Sequence, residues 1–200
     1  MSDKLPIVEM FHSIQGEGVN TGKSAYFIRI GGCDVCCTWC DEKTAWNEKL
    51  YPLINVSEIF NNVISSKVNT VVLTGGEPFR YNLTHLNKLL RERKILCMAE
   101  TLGTAKITGN WDWITLSPKQ HHKPLEENYI KANELKVVIQ KEKDFLWAEE
   151  TALKVGKNTI LYLQPEWGCF DVIISSIIRY IKENPKWRLS VQVHKFLKIQ

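Results

Sequence analysis

The alternation of short apolar runs with amphipathic segments is the feature that most restricts the fold of this chain. Seven apolar, β-branched runs are predicted as strands: Ser24–Ile30, Thr70–Thr74, Ile95–Glu100, Trp113–Ser117, Glu134–Ile139, Thr159–Gln164 and Arg188–Val193. Four amphipathic segments are predicted as helices: Ser57–Ser66, Leu83–Lys94, Glu142–Val155 and Asp171–Glu183. Repeated strand–helix–strand units predict an α/β fold with a mostly parallel sheet.

Chain length limits which parallel-sheet fold is possible. A complete eight-fold βα barrel usually takes about 250 residues, whereas this chain has 200 and uses Asp34–Leu53 as a long connection. We therefore expect one domain, residues 1–200, folded as a partial, incomplete βα barrel of about six βα units. An open doubly wound sheet is the alternative, because periodicity alone does not separate the two folds.

Composition and charge indicate an ordinary globular protein. Hydrophobic residues make up 44% of the chain and charged residues 24%, and the net charge is only +4. So small a positive charge, spread along the chain, gives no reason to expect nucleic acid as a partner. No apolar run approaches the eighteen residues of a membrane span, and the first thirty residues lack the pattern of a secretory signal. We expect a cytoplasmic protein with no membrane partner.

Four of the six cysteines fall within eight residues, in the segment Gly31–Asp41. Such a cluster in a reducing compartment is typical of metal binding. A four-thiolate zinc site is disfavoured, because nothing separates Cys36 from Cys37 and neighbouring side chains of an extended segment point in opposite directions. The preferred interpretation takes Cys33, Cys37 and Cys40 as ligands of a 4Fe-4S cluster, with Cys36 as a bystander. Three thiolates leave one iron open to a small molecule.

The spacing of Cys33, Cys37 and Cys40 resembles the signature of the radical S-adenosylmethionine (SAM) superfamily, in which the open iron binds the amine and carboxylate of SAM. The segment Thr74–Pro78, with sequence Thr-Gly-Gly-Glu-Pro, resembles that superfamily's site for the SAM amino group. Alone, this segment is also typical of a plain strand-to-helix turn. Beside the cysteine loop, it strengthens the resemblance.

Further segments resemble the 7-carboxy-7-deazaguanine synthase family: Phe11–Gly18, Phe27–Arg29, Ser117–Lys119, Leu163–Pro165 and Arg188–Lys195. This resemblance implies a carbon–nitrogen lyase that converts 6-carboxy-5,6,7,8-tetrahydropterin to 7-carboxy-7-deazaguanine with loss of ammonia, in queuosine-type nucleoside biosynthesis. It also implies dependence on Mg²⁺, a homodimer, and a flavodoxin or ferredoxin as electron donor. The alternatives are a glycyl-radical activating enzyme, a non-catalytic iron–sulfur protein and a zinc-binding module.

The same resemblance implies two sets of binding residues. The pterin substrate would be bound by Ile14, Gln15, Gly16, Arg29, Thr74 and His194. SAM would be bound by Gly76, Glu77, Glu100, Ser117, Pro118, Lys119, Gln164, Pro165, Glu166 and Trp167. No side chain is expected to act as nucleophile or base, since the cofactors carry the radical chemistry. The carboxylate of Gln200 is a further group expected to reach the substrate.

The chain departs from the family at Glu42. The family commonly has threonine after Cys-Asp, and that threonine helps to coordinate magnesium, whereas here Cys40–Glu42 reads Cys-Asp-Glu. Because a carboxylate is a good ligand for a hard cation, we expect Glu42 to contact Mg²⁺ directly or through water. We also expect Trp39 to shield the iron from water, and Cys97 and Cys169 to be small buried apolar residues.

Overall fold

The computed structural model describes residues 3–200 and contains one nine-stranded sheet with six helices. The strands are Lys4–Ile14 (β1), Ser24–Ile30 (β2), Leu53–Asn55 (β3), Thr70–Gly75 (β4), Leu96–Thr101 (β5), Trp113–Leu116 (β6), Glu134–Ile139 (β7), Ile160–Pro165 (β8) and Trp187–Leu189 (β9). The helices are Val56–Ser66 (α1), Thr84–Glu92 (α2), Glu126–Tyr129 (α3), Asp144–Ala152 (α4), Phe170–Glu183 (α5) and Val193–Leu197 (α6). Within residues 3–200, no helix is long and apolar enough to cross a membrane.

The strand order follows the chain almost without interruption. The sheet runs β3-β1-β2-β4-β5-β6-β7-β8-β9, and every pair from β2 to β9 is parallel. Only β1 is antiparallel to its neighbours, β2 and β3. A doubly wound sheet reverses its strand order at a switch point, and this order contains no reversal between β4 and β9. The predicted mostly parallel α/β sheet is therefore confirmed, whereas the barrel geometry stays a prediction.

Helices α1, α2, α4 and α5 pack against one face of the sheet. One apolar cluster buries the inner sides of α1 and α2, and a second buries those of α4 and α5. Both clusters lie on the same face of the sheet. Ala99 and Ile114, which are paired across β5 and β6, belong to the first cluster. Leu116 of the second cluster is two residues beyond Ile114 in β6, and residues two apart in a strand point to the same face. The opposite face has only a small apolar cluster of Ala25, Phe27, Val72 and Met98. That face therefore remains available for polar side chains near the ends of the strands.

Most predicted elements are present, but the two ends of the chain are not as expected. β2 and β7 have the predicted bounds, while the prediction of a strand over Arg188–Val193 is wrong, because β9 ends at Leu189 and Val193 begins α6. The apolar pattern does not predict β1, because Pro6 and Glu9 interrupt it. It does not predict β3 either, since that strand has only three residues. Just before α2, the Asn82 side chain accepts a hydrogen bond from the Thr84 backbone N–H at 3.0 Å.

Helix α5 offers a matched test of the second apolar cluster. Ile177 is fully buried, whereas its neighbour Ile178 is 45% exposed. We expect Ile177→Ala to lower the free energy of unfolding by about 2–5 kcal/mol, because it leaves a cavity in the core. Ile178→Ala should change it by no more than about 1 kcal/mol. Urea unfolding of both variants measures the difference, and equal losses would show that this helix face is not packed as described.

Candidate active site

A cavity of about 730 Å³ opens on the face of the sheet opposite helices α1, α2, α4 and α5. Its wall is built from residues at the carboxyl ends of successive parallel strands, where barrel folds place their chemistry. Arg29 lies near the end of β2, Thr74 near that of β4, and Glu100 near that of β5. Ser117 follows β6, and Gln164 lies near the end of β8. Five separate strands therefore contribute to one site.

Nearly all of the residues predicted for the site line this cavity. They are Ile14, Gln15, Gly16, Arg29, Cys33, Cys37, Cys40, Glu42, Thr74, Gly76, Glu100, Ser117, Lys119, Gln164, Pro165, Glu166, Trp167 and His194. Trp39 and Gln200 line it as well. The two predicted residues outside the cavity wall are Glu77 and Pro118.

The Glu77 side chain is used within the fold. It is 1% exposed, and its carboxylate accepts hydrogen bonds from Thr101 Oγ1 at 2.7 and 2.8 Å. The backbone N–H groups of Phe79 and Leu102 also donate to it, at 3.0 and 2.8 Å. Burial raises the pKa of Glu77, although these donors favour its charged form. The carboxylate thus fastens the loop after β4 to the end of β5, instead of facing a ligand as the sequence analysis expected.

Three cysteines of the 33–40 loop face the cavity and the fourth does not. Cys33 and Cys37 are buried and Cys40 is half-buried, and all three line the cavity. Cys36 is exposed, adopts a positive φ of 45°, and donates its thiol hydrogen to Cys33 O at 3.3 Å. The loop is fixed to the segment that follows it, because the Cys33 N–H donates to Trp46 O at 3.1 Å.

The cysteine trio suits a cluster better than it suits free thiols. Burial raises the pKa of both Cys37 and Cys40, so that without a metal these groups hold their protons. A bound metal offsets the thiolate charge and reverses that preference. Three cysteines of one loop that line a cavity match the ligand set of a four-iron cluster with one open iron.

Close backbone packing brings the loop after β4 against the cysteine loop. The Gly76 N–H donates to Ile30 O at 3.0 Å, and the Glu77 N–H donates to Gly32 O at 2.8 Å. A Cβ atom on Gly76 would collide with Gly32 O and would lie 2.9 Å from Cys33 Cβ. Glycine at position 76 is therefore what allows the two loops to meet at the cavity.

The cavity floor contains a buried ionic network that the sequence analysis missed. Lys136 of β7 is paired with Glu17, and Gln192 Nε2 donates to Glu17 Oε1 and to Asp41 Oδ2, each at 2.9 Å. Burial alone would lower the pKa of Lys136, but Glu17 and the neighbouring carboxylates Glu100 and Glu134 raise it. A charged residue within an apolar strand calls for a buried partner, and Lys136 in β7 is such a signal in the sequence.

Arg29 is held between two carboxylates. Its Nε lies 2.7 Å from Glu9 Oε1 and 3.6 Å from Glu42 Oε2. Glu42 also accepts a hydrogen bond from Thr44. The cavity wall beside Arg29 therefore already contains the carboxylate that the sequence analysis assigned to a metal ion.

Glu100 connects two of the residues predicted to contact the substrate. Gln15 Nε2 donates to Glu100 Oε1 at 2.8 Å, and Thr74 Oγ1 lies 3.5 Å from Glu100 Oε2. The oxygen of the Gln15 amide also accepts a hydrogen bond from the Glu17 backbone N–H at 3.2 Å. These two hydrogen bonds together orient the amide. The three side chains form a preorganised polar edge rather than a flexible one.

Lys119 is a buried cation with few partners. Its Nζ donates to Ser117 O at 2.8 Å and to Ser117 Oγ at 2.9 Å, and it lies 5.2 Å from the centroid of the Trp39 ring. Burial lowers the pKa of Lys119 to about 8. In the described part of the chain no carboxylate is hydrogen-bonded to Lys119, so its ammonium is available to an anionic group in the cavity.

The C-terminal segment closes one side of the cavity. The Val193 N–H donates to Gly16 O at 2.9 Å, which brings His194 against Gly16 so closely that a side chain there would collide with its ring. Burial lowers the pKa of His194, so that its neutral form is favoured. Gln200 is tied down as well, because Ser13 Oγ donates to Gln200 O at 2.6 Å.

The remaining cysteines differ from one another. Cys97 is fully buried, as expected, and burial raises its pKa to about 12. The expectation of burial is wrong for Cys169, which is only half-buried at the start of α5. Its thiol sulfur lies 3.6 Å from both Gln140 O and Glu166 O.

Comparison with known proteins gives one consistent result. A family profile described as a 4Fe-4S single cluster domain matches residues 14–136. A 7-carboxy-7-deazaguanine synthase from Flavobacterium psychrophilum is 47% identical over 98% of this chain and 93% of its own length. Another from Synechocystis is 45% identical with the same coverage. The crystal structure of QueE from Escherichia coli superposes with a TM-score of 0.85 at 30% identity, covering 96% of this chain and 95% of that one.

Glu134, at the start of β7, leads to a pH prediction for the free protein. Its carboxylate accepts the Val19 N–H at 3.0 Å, and Lys136, Glu17 and Glu100 lie around it. Burial raises the pKa of Glu134 from 4.5 to about 7, so the folded protein loses stability as pH rises from 4.5 to 7. We expect Glu134→Gln, which keeps an acceptor oxygen, to gain about 1–3 kcal/mol relative to the parent across that range.

Urea unfolding at pH 5 and at pH 7.5 measures this gain, with Glu127→Gln on exposed α3 as the control. The control should unfold like the parent at both values. A Glu134→Gln variant whose advantage does not grow with pH would contradict the raised pKa.

Proposed function

The chain belongs to the 7-carboxy-7-deazaguanine synthase family, and from that premise we propose how its cavity carries out the reaction. The protein is a radical-SAM lyase of the queuosine pathway. We propose that the cavity binds 6-carboxy-5,6,7,8-tetrahydropterin beside SAM and yields 7-carboxy-7-deazaguanine with loss of ammonia. A glycyl-radical activating enzyme is disfavoured, since the relatives that match nearly the whole chain have the synthase name.

One observation carries the proposal: the three thiols and the polar edge of Gln15, Thr74 and Glu100 belong to a single cavity. Its volume of about 730 Å³ is within the range of ligand sites. Its lining combines thiols and the tryptophans Trp39 and Trp46 with polar side chains and the C-terminal segment. These two kinds of lining are suited to a cluster with SAM and to a polar bicyclic substrate, respectively.

The protein's part in the reaction is alignment. When bound, the cluster and SAM supply a carbon-centred radical that removes one hydrogen atom from the substrate. Reacting atoms must lie within about 3–3.5 Å of each other, so the side chains that orient the two ligands determine the product. Gln15 is itself oriented by Glu100 and by the Glu17 N–H, and it would present its amide to the hydrogen-bonding edge of the pterin.

Arg29 is the group best suited to the substrate carboxylate. A planar guanidinium makes two parallel charge-assisted bonds with a carboxylate, and Arg29 uses its Nε for the hydrogen bond to Glu9. His194, which burial keeps neutral, and Gln200 would cover the substrate from the C-terminal side. Ile14, Gly16 and Thr74 would complete this substrate site.

SAM would be held by the strand ends on the other side of the cavity. Lys119 offers a buried ammonium to the SAM carboxylate, and Ser117 fixes its position. The exposed backbone of Gly76 suits the SAM amino group, since no side chain fits there. Gln164, Pro165, Glu166 and Trp167 would bound the adenosine, because the turn they form lines the cavity rim.

Magnesium would be bound through Glu42 together with the substrate. Mg²⁺ usually takes one or two carboxylates and keeps other positions for water and substrate oxygen atoms. Glu42 lines the cavity and lies 3.6 Å from Arg29, so a cation there would stand beside the bound substrate carboxylate. The longer glutamate side chain would occupy the position that threonine has in the family.

The cellular setting follows from the same chemistry. A site of unpaired thiols needs a reducing compartment, which favours the cytoplasm. The electron donor would be a flavodoxin or a ferredoxin that approaches the loop of residues 33–40, and the active form would be a homodimer folded as partial barrels. That loop lies close to the surface, since Cys40 is half-buried and Cys36 is exposed.

The cysteine trio gives the sharpest test of the proposal. We expect anaerobically reconstituted Cys36→Ala to hold about four irons per chain and to form product, because its side chain points away from the cavity. Cys37→Ala should lose most of its iron and all activity. Iron and sulfide analysis, with the deazaguanine absorbance of the product after incubation with SAM, reductant and carboxytetrahydropterin, measures both. A parent protein with a full cluster and no such product would overturn the assigned reaction.

Glu42→Ala tests the magnesium site. We expect the Mg²⁺ concentration that gives half-maximal activity to rise by about tenfold or more, because one anionic ligand is lost. The control is Glu58→Ala, an exposed carboxylate in the first turn of α1, which should leave the Mg²⁺ dependence unchanged. An unaltered Mg²⁺ titration in Glu42→Ala would rule out Glu42 as a ligand.

A further inference from the structure

Trp46 has a buried hydrogen-bond donor without a partner. Its indole Nε1 is shielded from solvent, and within residues 3–200 no acceptor meets hydrogen-bond geometry with it. Most buried polar groups are paired, and an unpaired one in a folded protein needs an explanation, such as a redox role or a bound group. The position of Trp46 in the cavity wall supplies the context.

The Trp46 side chain lies beside the predicted cluster trio. Trp46 and Cys40 both pack against the small buried group of Cys33, Val35 and Cys37. The indole N–H of Trp46 lies next to the Cys40 thiol, outside hydrogen-bond geometry. The donor is therefore placed to bond a sulfur atom that a metal holds as a thiolate.

The backbone holds Trp46 firmly in this position. Trp46 O accepts the Cys33 N–H at 3.1 Å, and Ala45 O accepts the Gly32 N–H at 2.7 Å. The segment that carries the indole is thus joined directly to the loop that carries the thiols. This coupling keeps the distance between donor and sulfur nearly constant.

We propose that the Trp46 indole N–H donates a hydrogen bond to the Cys40 thiolate of the bound cluster and raises the cluster's reduction potential. The N–H dipole places partial positive charge beside sulfur, and this stabilises the reduced cluster, which has one more electron, more than the oxidised one. The assignment rests on the proposed cluster ligands. It adds a positioning and tuning residue that the motif itself does not contain.

His121 provides a comparison on the exposed side of the same loop. Its Nε2 lies 3.8 Å from Cys37 Sγ and 3.3 Å from Val35 O. Because His121 is exposed, water replaces its hydrogen bond when the ring is removed. The buried position of Trp46 allows no such replacement, so its loss should have the larger effect.

The test compares Trp46→Phe with Trp111→Phe in anaerobically reconstituted protein. Trp111 is also a half-buried indole, but its Nε1 donates to Thr108 O at 2.8 Å, away from the cavity. Midpoint potentials are measured by redox titration with electron paramagnetic resonance detection. We expect Trp46→Phe to keep its iron and sulfide content and to shift the potential to a more negative value, while Trp111→Phe leaves the potential unchanged.

A second readout separates a hydrogen bond from altered packing. The reduced cluster of the parent should show a proton coupling that exchanges in deuterated buffer, and Trp46→Phe should lack it. Trp46→Phe with a full cluster, an unchanged potential and the same exchangeable coupling would overturn the proposal. So would a larger shift in His121→Ala than in Trp46→Phe. If the proposed cluster site itself is wrong, the parent protein fails to reach about four irons per chain, which is a different result.

Discussion

Helices α1, α2, α4 and α5 lie against one face of the sheet, and this arrangement leaves the opposite face free to form the site. Alternate residues of each strand point to opposite faces, so the same strands that bury Leu135 and Val137 against helices present Lys136 and Val138 to the cavity. With parallel strands in chain order, the carboxyl ends meet along one edge. Side chains far apart in the sequence, such as Arg29 and Gln164, thereby share one wall.

That arrangement places charged groups where water is scarce, and the structure compensates with dense pairing. The Lys136–Glu17 pair and the bridge through Gln192 to Asp41 connect the sheet floor, the N-terminal loop and the cysteine loop. Although burial raises the intrinsic pKa of Asp41, Lys195 and Gln192 lower it to about 2. Breaking one member of such a network leaves another charge unpaired, which is more costly than losing an exposed pair.

The cysteine loop differs from this network, because the hydrogen bonding of its polar groups is incomplete. Burial raises the pKa of the Cys37 and Cys40 thiols, and Trp46 has an N–H without a partner. Within residues 3–200, Lys119 likewise makes hydrogen bonds only to Ser117. Groups of this kind are expected where a bound group completes the set, and the side chains of Cys37, Cys40, Trp46 and Lys119 all line the cavity assigned to the cluster and SAM.

The sequence by itself determined the parallel α/β sheet and the cysteine spacing, because strand periodicity and motif spacing are local properties of the chain. Its resemblance to the synthase family pointed to most of the cavity wall. It did not reveal β1, whose apolar pattern is interrupted, or the role of Glu77, whose carboxylate is consumed by Thr101 and two backbone N–H groups. Nor did it reveal that Lys136, Gln192 and Trp46 reach the site. These residues are separated by up to 146 positions in the chain, and only the packing of one strand beside another decides which of their side chains meet.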